Sequence, residues 1–307
     1  MVIQIPASSQ IHNHSGTIYS RDFESDLDIT NNQQRLSDLY LRKRNFFTEA
    51  IIYPHLSMTD LDDKLFDKAF TLIRNNKSDH PWLMANKEQL LREATLWRKD
   101  FQTGQDGLTL AAALIFGKDE TIQSLLPAYK VEGMLRKENK DRYDDRINPP
   151  LRTNLIDTYL ELKAFINKHL PEKFFMEGDQ RVDLRDKIFR EVIGNAIVHR
   201  EYTSALSTEL IITASEVVIT NPNKPYFHGV IDPFGFNPYP KNPNIRKFFT
   251  AFGWTDEIGS GVRNTNKYLP LYAPGAHPLF VENDIFKTVI PLRFVSLGNY
   301  ADSFISW

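Results

Sequence analysis

The chain contains no cysteine, which excludes disulfides, thiolate metal sites and a cysteine nucleophile. It has no run of about 18 consecutive apolar residues, the length a membrane-spanning helix needs. The first residues lack the basic stretch and apolar core of a secretory signal, so the cytoplasm is the expected location. Neither sign of charge dominates. The 37 Lys and Arg against 39 Asp and Glu give a formal net charge of −2, so any contact with nucleic acid needs a local patch rather than a global pull. The P-loop, the nucleophile elbow and the dinucleotide fingerprint are all missing. His12 and His14 have metal-like spacing but no third ligand close by in sequence, and read as a surface loop. What is present is 307 residues, 41% hydrophobic and 25% charged, enough for two domains and a sizeable core.

The most informative stretch is residues 183–202. Asp183 suits a helix N-cap, with Asp186 three residues on. At about 100° per residue, Ile188, Phe189, Val192, Ile193, Ala196 and Ile197 fill one arc, broad enough to pack on a sheet. Glu191 and Asn195 fall one turn apart at the edge of that arc, with His199 a further turn on. An Asn carbonyl oxygen suits Mg²⁺, a hard ion that keeps several waters and borrows phosphate oxygens. A Glu beside it could orient a water or act as a general base. The same spacing also fits a half-buried helix whose Glu pairs with a surface cation.

A second signal lies at residues 242–263. Asn242-Pro243 reads as a cap followed by Pro at the first helical position. Phe248, Phe249 and Phe252 form the buried side of a short helix that Gly253 ends. Gly259-Ser260-Gly261 then precedes another helix, and a Gly-x-Gly at a helix N-terminus offers backbone N–H groups to an anion. Arg263, one turn beyond, and Arg200 are candidate phosphate partners, since guanidinium forks match phosphate oxygens.

Taken together, Glu191, Asn195, His199-Arg200-Glu201-Tyr202, Asn242-Pro243 and Glu257-Ile258-Gly259-Ser260-Gly261 resemble the RecG-like helicase C-terminal domain, grouped with the GHKL-type ATP-binding domains. The resemblance implies that Asn195 holds Mg²⁺, that Glu191 activates water, that Gly259, Ser260 and Gly261 line a phosphate loop, and that His199 and Arg263 approach the phosphates. The cofactors it implies are ATP and Mg²⁺. The chain departs from the pattern after its strand-like runs Leu206–Ile212 and Glu216–Thr220. The family places Asp-x-Gly-x-Gly there to read adenine, whereas this chain has Asn221-Pro222-Asn223, and its next glycine is Gly229. Asn221 is left as the candidate base contact, and at most a weak ATPase is expected.

The remaining chain is similar to regulators that join a Schlafen-type AlbA-like domain to such an ATP-binding domain. Ile5-Pro6-Ala7-Ser8-Ser9 and Gly16–Arg21 resemble the closing strands of that domain, and the Leu108–Lys118 stretch resembles the segment between the two. This implies an α+β chain. Residues 1–30 would be an AlbA-like remnant and 31–150 a helical, winged-helix-like connector. A GHKL-like α/β sandwich would occupy 151–295 and a tail 296–307. Thr109–Phe116 is apolar throughout, so periodicity does not tell a buried helix from a buried strand. The expected function is an ATP-binding, nucleic-acid-associated transcriptional regulator without a membrane partner. The alternative is a non-catalytic scaffold or homodimerisation module with a degenerate nucleotide site.

Overall fold

The structure is a computed structural model that describes residues 11–22, 25–44, 47–101, 103–137, 142–225, 228–233, 235, 241–256 and 261–293. Ile5–Ser9 and the expected tail fall outside the described residues. A hairpin, β1 (Tyr19–Asp22) and β2 (Ser25–Asp28), is followed by α1 (Gln33–Arg44) and a 3-10 turn at Thr48–Ala50. Next come α2 (Asp63–Asn76), α3 (Lys87–Glu93), a small hairpin of β3 (Trp97–Lys99) and β4 (Asp106–Leu108), then α4 (Leu110–Phe116) and α5 (Asp119–Leu125). The second half runs through β5 (Val131–Arg136), β6 (Asp145–Arg146), α6 (Leu155–His169), a hairpin of β7 (Phe174–Glu177) and β8 (Gln180–Asp183), and α7 (Leu184–Val198). It ends with β9 (Thr208–Thr213), β10 (Glu216–Pro222), β11 (Gly229–Val230), α8 (Pro243–Ala251), α9 (Gly261–Tyr272), β12 (Leu279–Glu282) and β13 (Ile285–Pro291).

The fold is mixed α+β. Its main sheet has seven strands among the described residues, in the order β11-β12-β13-β10-β9-β5-β6. Only the β5–β9 pair is parallel, with Val131 opposite Thr208. β9, β10 and β5 alternate in burial, as the two-residue period of a strand predicts when one face is covered. Leu210, Ile212, Val217 and Ile219 are the buried set. α7 contacts β10, and α6 contacts both β5 and α7. No helix among the described residues is long and apolar enough to cross a membrane.

α4 resolves the ambiguity of the apolar run. All seven of its residues are buried, because α2, α5, α6 and α8 touch it from different sides. A helix enclosed in this way needs no polar face, so its sequence carries no period. α8 starts at Asn242-Pro243, and Gly253 closes its end with φ +72, a left-handed conformation that costs glycine least. Phe248 and Phe249 are fully buried, with Phe248 against Trp82 and Phe116.

Candidate functional site

α7 begins where its cap dictates. The Asp183 carboxylate accepts from the N–H groups of Arg185 and Asp186 at 2.9 and 3.2 Å, satisfying donors that the first turn leaves orphaned. Ile188, Phe189, Val192, Ile193 and Ile197 are buried as the arc requires. Glu191 departs from its expected edge position, being only 1% exposed. The cause lies in the turn after α8. A Cβ on Gly194 would stand 2.8 Å from the Trp254 carbonyl oxygen, so the glycine lets that turn press onto α7 and cover Glu191. The Asp256 N–H then donates to Glu191 Oε1 at 3.2 Å.

The start of α9 closes over the same place. A Cβ built on Gly261 would lie 2.4 Å from Asn195 Nδ2 and 2.6 Å from Glu191 Oε2. The carboxylate, the carboxamide and the last glycine of the Gly-x-Gly therefore meet at one point, although about 70 residues separate the helix from the loop. Gly259 and Ser260 lie outside the described residues. Arg263 is exposed on the first turn of α9.

Burial and the neighbouring Asp256 carboxylate push Glu191 up to about 7, against the pull of the Arg190 guanidinium. A carboxyl poised near neutrality beside a second carboxyl is the usual condition of a group that holds or passes a proton. Asp256 is itself held from α9, where Asn264 Nδ2 donates to its Oδ2 at 2.8 Å. His199 forms the C-cap of α7. Burial, helped by the cations of Lys241 and Arg246, pushes its imidazole down to about 3, so it meets any ligand as a neutral hydrogen-bonding group rather than a cation. Lys241 donates to Glu282 Oε1 at 2.8 Å and also to Asn223. Arg246 reaches back toward the Asp256 carbonyl at 3.4 Å. Glu191, Asn195 and His199 thus run along α7 from a paired-carboxyl end to an end bordered by two cations.

Two expected ligand contacts are framework instead. Asn221 is 2% exposed; its Nδ2 donates to the Ala196 carbonyl at 2.8 Å, and its Oδ1 accepts from Thr208 at 2.6 Å. With both ends of the amide engaged, it ties β10 to β9 and α7 and does not face a base. Arg200, also 2% exposed, donates to Thr208 and to the Leu206 carbonyl, with its guanidinium over the Tyr129 ring. It is a core clamp rather than a phosphate partner. Sequence reasoning missed Asp256, Arg246, Lys241 and Asn264. The one available signal was Arg246, a cation on the face of α8 that its phenylalanines leave free.

Residues 39–132 match a family described as a domain of unknown function, DUF8451, and this stretch ends before the α7 site. No curated protein matches the chain. Among solved structures, the chain is similar to the DIP2311 protein from Corynebacterium diphtheriae, at 16% identity and a TM-score of 0.59, over 90% of this chain and 53% of that one. The chain spans about half the length of that neighbour, and at this identity the likeness is one of fold.

Proposed function

We propose that the chain is a nucleotide-binding regulator that takes ATP with Mg²⁺ along α7, in a domain of the GHKL-like, RecG-like C-terminal type. The observation that carries this reading is the meeting of Gly261 with Asn195 and Glu191. Only glycine fits there, and the first turn of a helix that begins with glycine offers N–H donors and a positive dipole end to phosphate. The donor set suits the ion: Asn195 supplies a carboxamide oxygen, and Glu191 with Asp256 supplies carboxyls that hold a water or a proton. Bound Mg²⁺ would neutralise phosphate charge there. Arg246 and Arg263 are the cations for the phosphate chain, with neutral His199 beside them.

In this reading the nucleotide-binding unit is the seven-stranded sheet with its helices, which takes in β5 and β6 ahead of the expected start at 151. The helices before β5 are the connector, and 1–30 is the AlbA-like remnant through which nucleic acid is engaged. Turnover is at most weak. Asn221 stands where the family reads adenine, and its amide is spent inside the protein. That same observation favours a second reading, a homodimerising or scaffold module whose nucleotide site has decayed.

Calorimetry and thermal melting with Mg-ATP separate the two. A ligand present at 100 times its dissociation constant raises stability by about 2.7 kcal/mol. Binding heat together with a raised melting temperature supports the nucleotide site, and Asn195→Ala should then remove the dependence on Mg²⁺. No heat and no shift at millimolar ATP would leave only the scaffold.

A further inference from the structure

Helix α8 lies between the candidate site and the 48–116 region, and that region holds it at both ends. At the N-terminus, the Glu49 carboxylate accepts from the Asn244 N–H at 2.7 Å and the Ile245 N–H at 2.9 Å. Glu49 is fully buried, and it comes from 195 residues earlier in the chain. It supplies from a distance the acceptor oxygens that the unmet donors of a helix start require, because Asn242, at the cap position, points elsewhere. The adjoining Thr48 hydroxyl accepts from Lys224 and donates to Glu201, both in the α7–β11 half.

At the C-terminus, Asn76 Nδ2 donates to the Ala251 carbonyl at 3.1 Å. The same side chain sits so close to Gly253 that a Cβ there would stand 2.5 Å from Asn76 Oδ1. A third hold is made by Thr95, whose hydroxyl donates to Asn244 Oδ1 at 2.9 Å and accepts from Lys247 at 2.9 Å. Thr95 has φ 62, a conformation that is costly for a β-branched residue and persists only where surrounding contacts impose it.

The opposite side of α8 touches the site. Asn242 Nδ2 donates to the carbonyls of Val198 and Arg200 at the end of α7, each at 2.8 Å. Arg246 reaches the Asp256 carbonyl, the Thr250 and Thr255 hydroxyls are 3.3 Å apart, and the Asp256 N–H binds Glu191. Every contact between the Glu49 carboxylate and the Glu191 carboxylate along this route is a hydrogen bond or a single helix.

We propose that α8 is a regulatory lever: the 48–95 region, gripping it through Glu49, Thr95 and Asn76, sets the position of the 254–256 turn over Glu191, so that docking of that region and occupancy of the site are linked. The nucleotide half of this statement rests on the proposed function; the mechanical half does not. Linkage requires the effect to run both ways with equal strength.

The test is amide hydrogen exchange on the full chain, comparing the native protein with Glu49→Gln and Asn76→Ala. The Asn76 variant changes an exposed side chain and keeps the test decisive where Glu49→Gln fails to fold. Without ligand, the lever predicts faster exchange at the ends of α8 and also at 254–256 and the last turn of α7, by about tenfold, within the usual range of coupling. Faster exchange confined to α8, with 254–256 and α7 unchanged, overturns the proposal. With Mg-ATP, both variants should bind about tenfold more weakly, and the ligand should slow exchange at Asn244 and Ile245 in the native chain. Unchanged affinity also overturns the lever. A native chain that binds no ATP overturns the nucleotide reading instead, and the ligand-free comparison still decides the lever.

Discussion

Gly261→Ala sets two effects of similar size against each other, and their balance reports how tight the site is. Alanine favours a helix over glycine by about 1 kcal/mol, and Gly261 lies in the helix α9, so propensity alone predicts a more stable protein. The new methyl would stand 2.4 Å from Asn195 Nδ2 and 2.6 Å from Glu191 Oε2, well inside contact distance. Overpacking of this kind costs about 1–3 kcal/mol. Relief is restricted: Glu191 is enclosed and bonded to Asp256, which leaves movement of Asn195 or of α9. The expected net result is a loss of about 1 kcal/mol, together with at least a tenfold loss of Mg-ATP affinity, about 1.4 kcal/mol, because the methyl takes the space between the two candidate ligand groups. Urea unfolding followed by circular dichroism measures the first, and calorimetry the second. A variant that is more stable by the full propensity gain and binds Mg-ATP unchanged would show that the approach of α9 to α7 is slack, and the reasoning about the site would fail.

Stability should also depend on pH in a way set by three buried groups. Glu49 is raised from 4.5 to about 7, chiefly by burial, and Glu191 likewise, while His199 is lowered from 6.5 to about 3. Each raised carboxyl holds a proton that the unfolded chain has already released, so its contribution falls as pH rises from 4.5 to 7, by about 3 kcal/mol. His199 acts in the opposite sense, its contribution growing between pH 3 and 6.5. Subtracting Glu49→Gln from the native chain isolates one group, and the difference in urea stability should fall between pH 5 and 7 and stay level from 7 to 8; a rising difference would refute the assignment. Tyr159→Phe removes a hydroxyl that is buried with no partner among the described residues and should be neutral or stabilising by up to about 1 kcal/mol, whereas a clear loss in thermal unfolding would reveal a hidden partner. Asn221→Leu breaks the ties to Ala196 and Thr208 and should cost roughly 2–4 kcal/mol; unchanged stability with an altered preference among nucleotide bases would return Asn221 to the ligand.

Local signals in the sequence located the elements well. The Asp183 cap, the Asn242-Pro243 start and the Gly253 stop each act through their immediate neighbours, and the helices begin and end close to them. The wide apolar arc of α7 likewise follows from its own residues. The sequence was silent where the deciding atoms come from afar. Glu191 looked like an edge residue because nothing in residues 183–202 tells that the 254–256 turn will cover it. The parallel pairing of β5 with β9 and the Glu49 hold on α8 have no local signature either. Asn221 was misjudged for a related reason: a polar residue after a strand looks available for a ligand until the carbonyl and hydroxyl that occupy it are seen.

Framework and site can be separated by how well buried polar groups are served. Asn221 is as enclosed as Glu191, yet its amide is engaged at both ends, which is what a core demands of a polar residue. The terminal nitrogens of Arg200 likewise find oxygen acceptors, while its Nε has none among the described residues. Glu191 is served differently. It accepts the Asp256 N–H, shares a side-chain hydrogen bond with the Asp256 carboxyl, and is pushed up to about 7, chiefly by burial, a shift worth about 3 kcal/mol of lost ionisation energy. The hydroxyl of Tyr159, on the neighbouring α6, is buried with no hydrogen-bond partner among the described residues. An apolar residue at 191 would extend the arc of Ile188 and Val192 without that cost. A packing role therefore accounts for Asn221 and leaves the raised Glu191 carboxyl to be explained. A ligand that supplies positive charge beside Glu191 would lower the carboxyl toward its ordinary range and recover the energy.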